Sequence, residues 1–177
     1  MTTSLVLTVL GNDRPGLVEA LSEIIVAHHG EWVESRMASL AGKFAGILHV
    51  SVPDDQVGAL TSVLQSRQLQ DLSVLVGRAV PEQTTQAYHR LVLDLVGQDR
   101  PGIMQQISQV LTRLNINVDE LETGVFDASM SGERMFQAKA QLRIPQDTAI
   151  GDLRDVLEGL ANELMVDIEL VEDADQS

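Results

Sequence analysis

The sequence predicts an α+β fold in which one βαββαβ domain occurs twice, each copy with an antiparallel sheet and its helices on one face. The first observation is a repeated motif, Gly-Asn-Asp-Arg-Pro-Gly at residues 11–16 and Gly-Gln-Asp-Arg-Pro-Gly at residues 97–102. The second is that each copy follows an alternating apolar run and precedes a helical one. The third is that apolar positions recur with the spacing that separates Gly11 from Gly97. Two tandem ferredoxin-like domains explain all three observations.

The repeat divides the 177-residue chain into two domains. We expect the first at residues 1–80 and the second at residues 88–172, each large enough to bury a modest core. Between them, residues 81–87 are mostly polar and begin with Pro81, which is typical of a linker. We expect the acidic residues 173–177 to form a tail.

The first half opens with a strand and a helix. Residues 4–10 alternate in a way that predicts a strand with Leu5, Leu7 and Val9 on one face. Gly30 predicts the end of the helix, because glycine is favoured just after a helix C-terminus. At helical spacing, the apolar stripe of this helix consists of Leu17, Leu21, Ile24 and Ile25.

Two strands, a helix and a last strand complete the first half. Residues 31–40 and 44–52 predict a hairpin around the turn at residues 41–43. Pro53-Asp54-Asp55 predicts the start of the second helix, because acidic residues favour the first helical turn. Alternation at residues 72–76 predicts the fourth strand.

The second half repeats these elements in the same order. Asn115 takes the place of Gly30 at the helix end, since asparagine tolerates left-handed backbone. Residues 127–133 form a longer hairpin loop than the first, residues 145–148 open the last helix, and residues 166–170 form the last strand. The first strand and helix of this half repeat the apolar positions as Leu91, Leu93, Leu95, Ile103, Ile107, Val110 and Leu111.

The repeated motif predicts an anion-binding turn. Arg14 precedes proline and is pushed away from helical backbone, while Pro15 suits the first helical position. The backbone amides of Gly16 and Leu17 then lack partners inside the helix, and with the helix dipole they favour a carboxylate. Asp13 and Arg14 add one charge of each sign. A free amino acid fits this arrangement, with its carboxylate on the amides and Arg14 and its ammonium on Asp13.

A purely structural role is the alternative for each copy of the motif. Asp13 would then cap the helix, and Arg14 would be a solvated surface charge. A single copy favours this alternative, because helix caps are commoner than ligand sites. Two copies in the same strand–loop–helix context indicate a duplicated domain and place the same surface feature in both halves.

Composition argues against several classes of function. The net charge of −14 opposes direct binding to DNA, RNA or an anionic membrane, and aromatic residues at 3% provide few stacking surfaces. The absence of cysteine excludes disulfides, thiolate catalysis and zinc sites built on cysteine. No leader-like N-terminus and no apolar run long enough to span a bilayer are visible, so we expect a cytoplasmic protein.

The sequence predicts neither a catalytic site nor a metal or other cofactor. His28 and His29 are adjacent and would point about 100° apart on a helix, so they cannot share a face, and without thiols or paired ligand spacing we expect no zinc site. The other histidines, His49 and His89, have no repeated partner. A nucleophile elbow of the Gly-x-Ser-x-Gly type and a phosphate-binding glycine-rich loop are both absent from the sequence.

With Asp-Arg-Pro-Gly-Leu after the first strand of a βαββαβ unit, the chain resembles a tandem pair of ACT domains over nearly its whole length. More narrowly, it resembles the glycine cleavage system transcriptional repressor family, which consists of two ACT domains and little else. Residues 35–44 look like the second strand and hairpin of that family, and a short first hairpin with a longer second one is a further likeness.

This resemblance implies an amino-acid-responsive regulator that is not an enzyme. Such a protein would bind a transcriptional activator rather than DNA, and glycine would modulate that contact. In ACT domains the ligand usually lies where the first loop of one domain faces another domain. Carried over to this chain, the ligand-binding residues are Asn12, Asp13, Arg14, Gly16 and Leu17 in one half, and Gln98, Asp99, Arg100, Gly102 and Ile103 in the other. The exchange of Asn12 for Gln98 means that the two loops are not identical.

Two other functions fit the same fold. The chain could be the regulatory subunit of an amino-acid enzyme that acts in trans. It could also be a small acyl-phosphate hydrolase in which Arg14 or Arg100 holds phosphate, with Asn12 as the one candidate to position water. Fold alone establishes neither activity. The edge strands of such sheets need covering, so we also expect a homo-oligomer, a homodimer in the simplest case.

Overall fold

The computed structural model describes residues 1–66, 71–80 and 87–172. The chain divides into two compact units, residues 1–82 and 83–177. This division falls inside the segment predicted as a linker. Linker residues 81–86 and the predicted tail at 173–177 lie outside the described residues.

The first unit is a four-stranded antiparallel sheet with two helices. The strand order is β2-β3-β1-β4, so the first strand lies in the interior of the sheet. In chain order the elements are β1 (Thr2–Asn12), α1 (Leu17–Ala27), β2 (Glu31–Leu40), β3 (Lys43–Pro53), α2 (Val57–Leu64) and β4 (Leu72–Arg78). The two helical connections bring α1 and α2 to the same side of the sheet, which is the ferredoxin-like arrangement predicted above.

The second unit has the same topology. Its strand order is β6-β7-β5-β8, with β5 in the position that β1 holds in the first unit. In chain order its elements are β5 (Tyr88–Gln98), α3 (Ile103–Arg113), β6 (Asn117–Asp127), β7 (Arg134–Pro145), α4 (Ile150–Leu164) and β8 (Val166–Glu172). The predicted duplication of one βαββαβ domain is therefore confirmed.

Each unit buries its own apolar core between the sheet and the helices. In the first unit the inner face of β1 and the stripe of α1 meet, with Leu7 and Leu21 almost fully buried. In the second unit Leu93 and Ile107 occupy the corresponding positions. Full burial of one such side chain stabilises the folded state by about 1.5–3 kcal/mol. The alternation and helical spacing in the sequence identified these core positions correctly.

The end of α1 differs from the prediction. The helix stops at Ala27, and His29 is the residue with left-handed backbone, at φ 56°. Gly30 follows it and donates its amide to the Ile25 carbonyl at 2.9 Å. Asn115, at φ 53°, therefore corresponds to His29 and not to Gly30. Gly30 is required for space, since a Cβ there would lie 2.8 Å from Cγ2 of Ile25.

The start of α2 was also predicted wrongly. Strand β3 continues to Pro53, and the helix begins only at Val57 with no acidic residue in its first turn. Asp54 instead accepts a hydrogen bond from Oγ1 of Thr3 at 2.8 Å. The aspartate thus ties the end of β3 to the start of β1, a pairing between residues far apart in the sequence.

Candidate functional site

The two motif copies connect an interior strand to a helix in each unit. We call residues 11–16 the first loop and residues 97–102 the second loop. Asn12 and Gln98 are the last residues of β1 and β5. Each loop also borders the hairpin of its own sheet, because the amide of Asp13 donates to the Gly42 carbonyl at 3.0 Å and that of Asp99 donates to the Arg134 carbonyl at 2.9 Å.

Glycine forms the cap of the helix in both loops. Gly16 and Gly102 have left-handed backbone, at φ 89° and 94°, and α1 and α3 begin at the next residue. The expected role of Pro15 as the first helical residue is therefore wrong. Glycine takes a positive φ without strain, so the chain turns at Gly16 and the helix starts at Leu17, two residues after Pro15.

The amides at both helix starts are free of side-chain caps. Neither Gly16 nor Gly102 is accompanied by a capping side-chain hydrogen bond, so Asp13 is not the helix cap. The first amides of a helix have no partner within it, and the helix dipole adds positive potential there. A Cβ built at either glycine would meet no protein atom within 4 Å. Both helix starts are therefore open to a small anion.

In the first loop, the arginine has an internal partner. Nε of Arg14 lies 3.1 Å from Oδ2 of Asp71, which directly precedes β4, and both side chains are about half exposed. Oδ1 of Asn12 accepts a hydrogen bond from Nζ of Lys43 at 2.6 Å. Among the described residues, the Asp13 carboxylate has no hydrogen-bond or ion-pair partner. In the first loop Arg14 is thus neutralised by an ion pair, whereas Asp13 is not.

In the second loop, the pattern is reversed. Oδ2 of Asp99 lies 3.0 Å from Nε of Arg134, so the aspartate is paired. Within the described part of the chain, Nε and Nη2 of Arg100 are buried and have no hydrogen-bond partner. Oε1 of Gln106, in the second turn of α3, is also buried without a donor. The second loop therefore keeps an uncompensated positive charge.

Sheet register explains why the two loops differ. Gly11 pairs with Leu72, and Gly97 pairs with Val166, so Asp71 and Met165 occupy equivalent positions. The carboxylate that neutralises Arg14 is thus replaced in the second unit by an apolar side chain. Arg134 similarly stands where the first unit has Gly42, which offers Asp13 no side chain. Sequence reasoning missed these partners because they come from other strands of the sheet.

An unpaired buried guanidinium is energetically unfavourable. The guanidinium has only donors and no acceptor, so each buried nitrogen of Arg100 needs an acceptor. Leaving buried donors unsatisfied costs about 1–3 kcal/mol and more for a charged group. Native proteins satisfy most such groups with a partner in the protein, with ordered water or with a bound ion. An anion at Arg100 would satisfy both the guanidinium and the helix start.

The described residues hold no group of three or more histidine, aspartate or glutamate side chains placed to bind a metal. Nδ1 of His28 is 2.8 Å from the Ile24 carbonyl, which accounts for that side chain locally. Within the described part of the chain, no helix is both long and apolar enough to cross a membrane.

A family model for the ACT domain matches the chain twice, at residues 3–77 and 89–171. The chain belongs to the ACT domain family. The two matched segments correspond to the two units of the structure, so the tandem ACT arrangement predicted from the sequence is confirmed.

Individual relatives extend this result. The UPF0237 protein MK1213 of Methanopyrus kandleri is 31% identical over 80 residues, which are 45% of this chain and 82% of that protein. The crystal structure of an unknown protein from Galdieria sulphuraria matches with a TM-score of 0.87 and 29% identity, covering 98% of this chain and all of the other. Full-length similarity shows that both ACT domains are shared with that protein.

A solved structure of a candidate glycine cleavage system transcriptional repressor also matches this ACT protein over its length. The TM-score is 0.71 at 20% identity, with 98% of this chain and 99% of the other covered. At this level of identity the likeness shows a common fold.

Proposed function

We propose that this ACT protein is a non-catalytic regulatory protein that responds to a small amino acid, with glycine as the first ligand to test. The observation that carries the proposal is the start of α3, where uncapped backbone amides begin two residues after Arg100, whose buried nitrogens have no partner among the described residues. Backbone amides at a helix start and a guanidinium are both suited to a carboxylate. Every free amino acid supplies that group.

The proposed output is contact with another protein. A net charge of −14 disfavours direct binding to nucleic acid and favours a partner with a basic surface. A transcriptional activator is the partner class we propose, in line with the common fold of the candidate glycine cleavage repressor. The protein would act in the cytoplasm. It would form a homo-oligomer, since both sheets have long and mostly exposed edge strands, β2 and β6.

The first-loop contacts do not favour the hydrolase alternative. Asn12 would have to position water, but its Oδ1 is bound by Lys43. Arg14 would have to hold phosphate, but it is paired with Asp71. Both contacts would have to break before phosphate chemistry could begin. The alternative of a regulatory subunit acting in trans differs only in the partner, and a metabolic enzyme bound in a glycine-dependent manner would favour it.

Amino-acid binding is directly measurable by isothermal titration calorimetry on the full chain. We expect at least one of glycine, alanine and serine to bind at millimolar concentration or below, because the open site has room for a small ligand with a carboxylate. Acetate and ethylamine serve as matched controls that carry only one of the two charges. If no amino acid of a full panel binds, the sensing function is excluded and only a binding scaffold remains.

A further inference from the structure

We propose that only the second loop binds the amino acid, because the arginine of the first loop, Arg14, is already paired with the protein's own Asp71 carboxylate. This inference rests on the proposed function and specifies which of two similar loops performs it. The chain would then carry one ligand per two ACT domains. The other loop would keep the same backbone turn with an internal substitute for the ligand.

Asp71 and Met165 occupy equivalent positions in the two units. Each directly precedes the strand that pairs with the end of β1 or β5, as the pairs Gly11 with Leu72 and Gly97 with Val166 show. The Asp71 carboxylate lies 3.1 Å from Nε of Arg14. A methionine at the same place offers Arg100 no negative charge.

The unpartnered donors of Arg100 have a geometry that suits a carboxylate. Nε and Nη2 of Arg100 are the two nitrogens on one edge of the guanidinium, and both are buried without a partner within the described residues. A carboxylate can accept from this edge with both oxygens at once, which gives strong and directional recognition. Protein atoms cover both nitrogens while the residue as a whole is partly exposed, so an entering carboxylate has to displace the Arg100 side chain to reach them.

The ammonium group of the amino acid needs an acceptor in the second loop. Asp99 was expected to bind it, but Asp99 is engaged by Arg134 at 3.0 Å. Gln106 provides the available acceptor, since its Oε1 is buried without a donor. Its backbone amide donates to the Gly102 carbonyl at 3.1 Å, so Gln106 lies one turn above the cap on the same helix face. The first unit has Ala20 at this position, four residues after Gly16, and lacks the acceptor.

A structural alternative predicts a different outcome. Arg100 and Gln106 could simply satisfy each other after a small side-chain movement, and no ligand would then be needed. In that case neither arginine would be available to a ligand, because Asp71 would pair with Arg14 and Gln106 would pair with Arg100. Binding experiments on matched variants distinguish this alternative from the proposal.

The test is calorimetric titration of glycine, alanine and serine into the full chain and three variants. Arg100→Met and Arg14→Met remove the same charge from equivalent positions, and Arg113→Met removes it from the exposed end of α3 as a control. We expect Arg100→Met to weaken binding at least about tenfold, because a charge-assisted pair is lost. Arg14→Met and Arg113→Met should bind within about twofold of the original protein, with one ligand per chain.

A fourth variant, Met165→Asp, keeps Arg100 and so tests the inference even if Arg100→Met fails to fold. Met165→Asp introduces a carboxylate at the register position that Asp71 holds in the first unit, and aspartate tolerates the left-handed backbone of Met165, at φ 52°. We expect it to fold, as judged by circular dichroism, and to lose binding as Arg100→Met does.

The possible outcomes separate the inference from the function on which it rests. Equal loss in Arg14→Met and Arg100→Met, loss in Arg14→Met alone, or no loss in any variant would overturn the inference, while an amino-acid sensor would remain. Two ligands per chain would overturn it as well. No binding by the unaltered protein would overturn both the proposed function and the inference.

Discussion

Leu93→Ala will lower the free energy of unfolding of the second ACT domain by about 2–5 kcal/mol. Leu93 lies on the inner face of β5 and is 1% exposed, so the truncation leaves a cavity at the centre of the core. The equivalent residue of the first domain, Leu7, lies in a separate core and is 0% exposed. Leu7→Ala is therefore the matched variant, with the same loss expected in the other domain.

Fluorescence of the single tryptophan separates the two effects during urea unfolding. Trp32 packs against the core of the first domain, and the second domain has no tryptophan. We expect Leu7→Ala to move the fluorescence transition to lower urea concentration, whereas Leu93→Ala should move only the transition of the second domain, followed by circular dichroism. A fluorescence transition shifted equally by both variants would show that the two cores do not unfold separately.

Gly97→Ala will destabilise the second domain by about 1–3 kcal/mol through overpacking. A Cβ on Gly97 would lie 2.2 Å from Cγ1 and 3.0 Å from Cα of Val166, the first residue of β8. The strand cannot yield without weakening the β5–β8 pairing beside the second loop. The displacement should therefore also weaken amino-acid binding at that loop.

Gly159→Ala is the matched control, since it lies within α4 and a Cβ there would meet nothing within 4 Å. We expect this variant to be more stable by roughly 0.5–1 kcal/mol, because alanine favours the helix. Both variants are compared by thermal unfolding. A Gly97→Ala protein as stable as the original would contradict the close approach of β5 and β8 seen in the structure.

Most of the fold could be predicted because its signals are local. Alternation around Leu7 and Leu93 marked the interior strands, and helical spacing marked the stripes of α1 and α3. Duplication strengthened each prediction, since the same pattern occurred twice. The positions of Gly42 and Gly132, both with positive φ in the hairpin loops, were likewise visible as turn signals in the sequence.

The ion pairs of the two loops could not be predicted, because they depend on sheet register. Asp71 is 57 residues from Arg14 in the chain, yet β1–β4 pairing brings their side chains together. Arg134 reaches Asp99 in the same way through β5–β7 pairing. The two motif copies look equivalent in sequence, and their difference lies in the strands beside them.

The most direct test of the account follows backbone amide shifts of the isotopically labelled protein by NMR during titration with glycine. We expect the amides of Gly102, Ile103 and Met104 to shift in a saturable manner, because they lie at the open start of α3. The amides at Gly16 and Leu17 should shift far less. If glycine at millimolar concentration leaves the amides of both loops unchanged, these helix starts do not hold the ligand and the account is wrong.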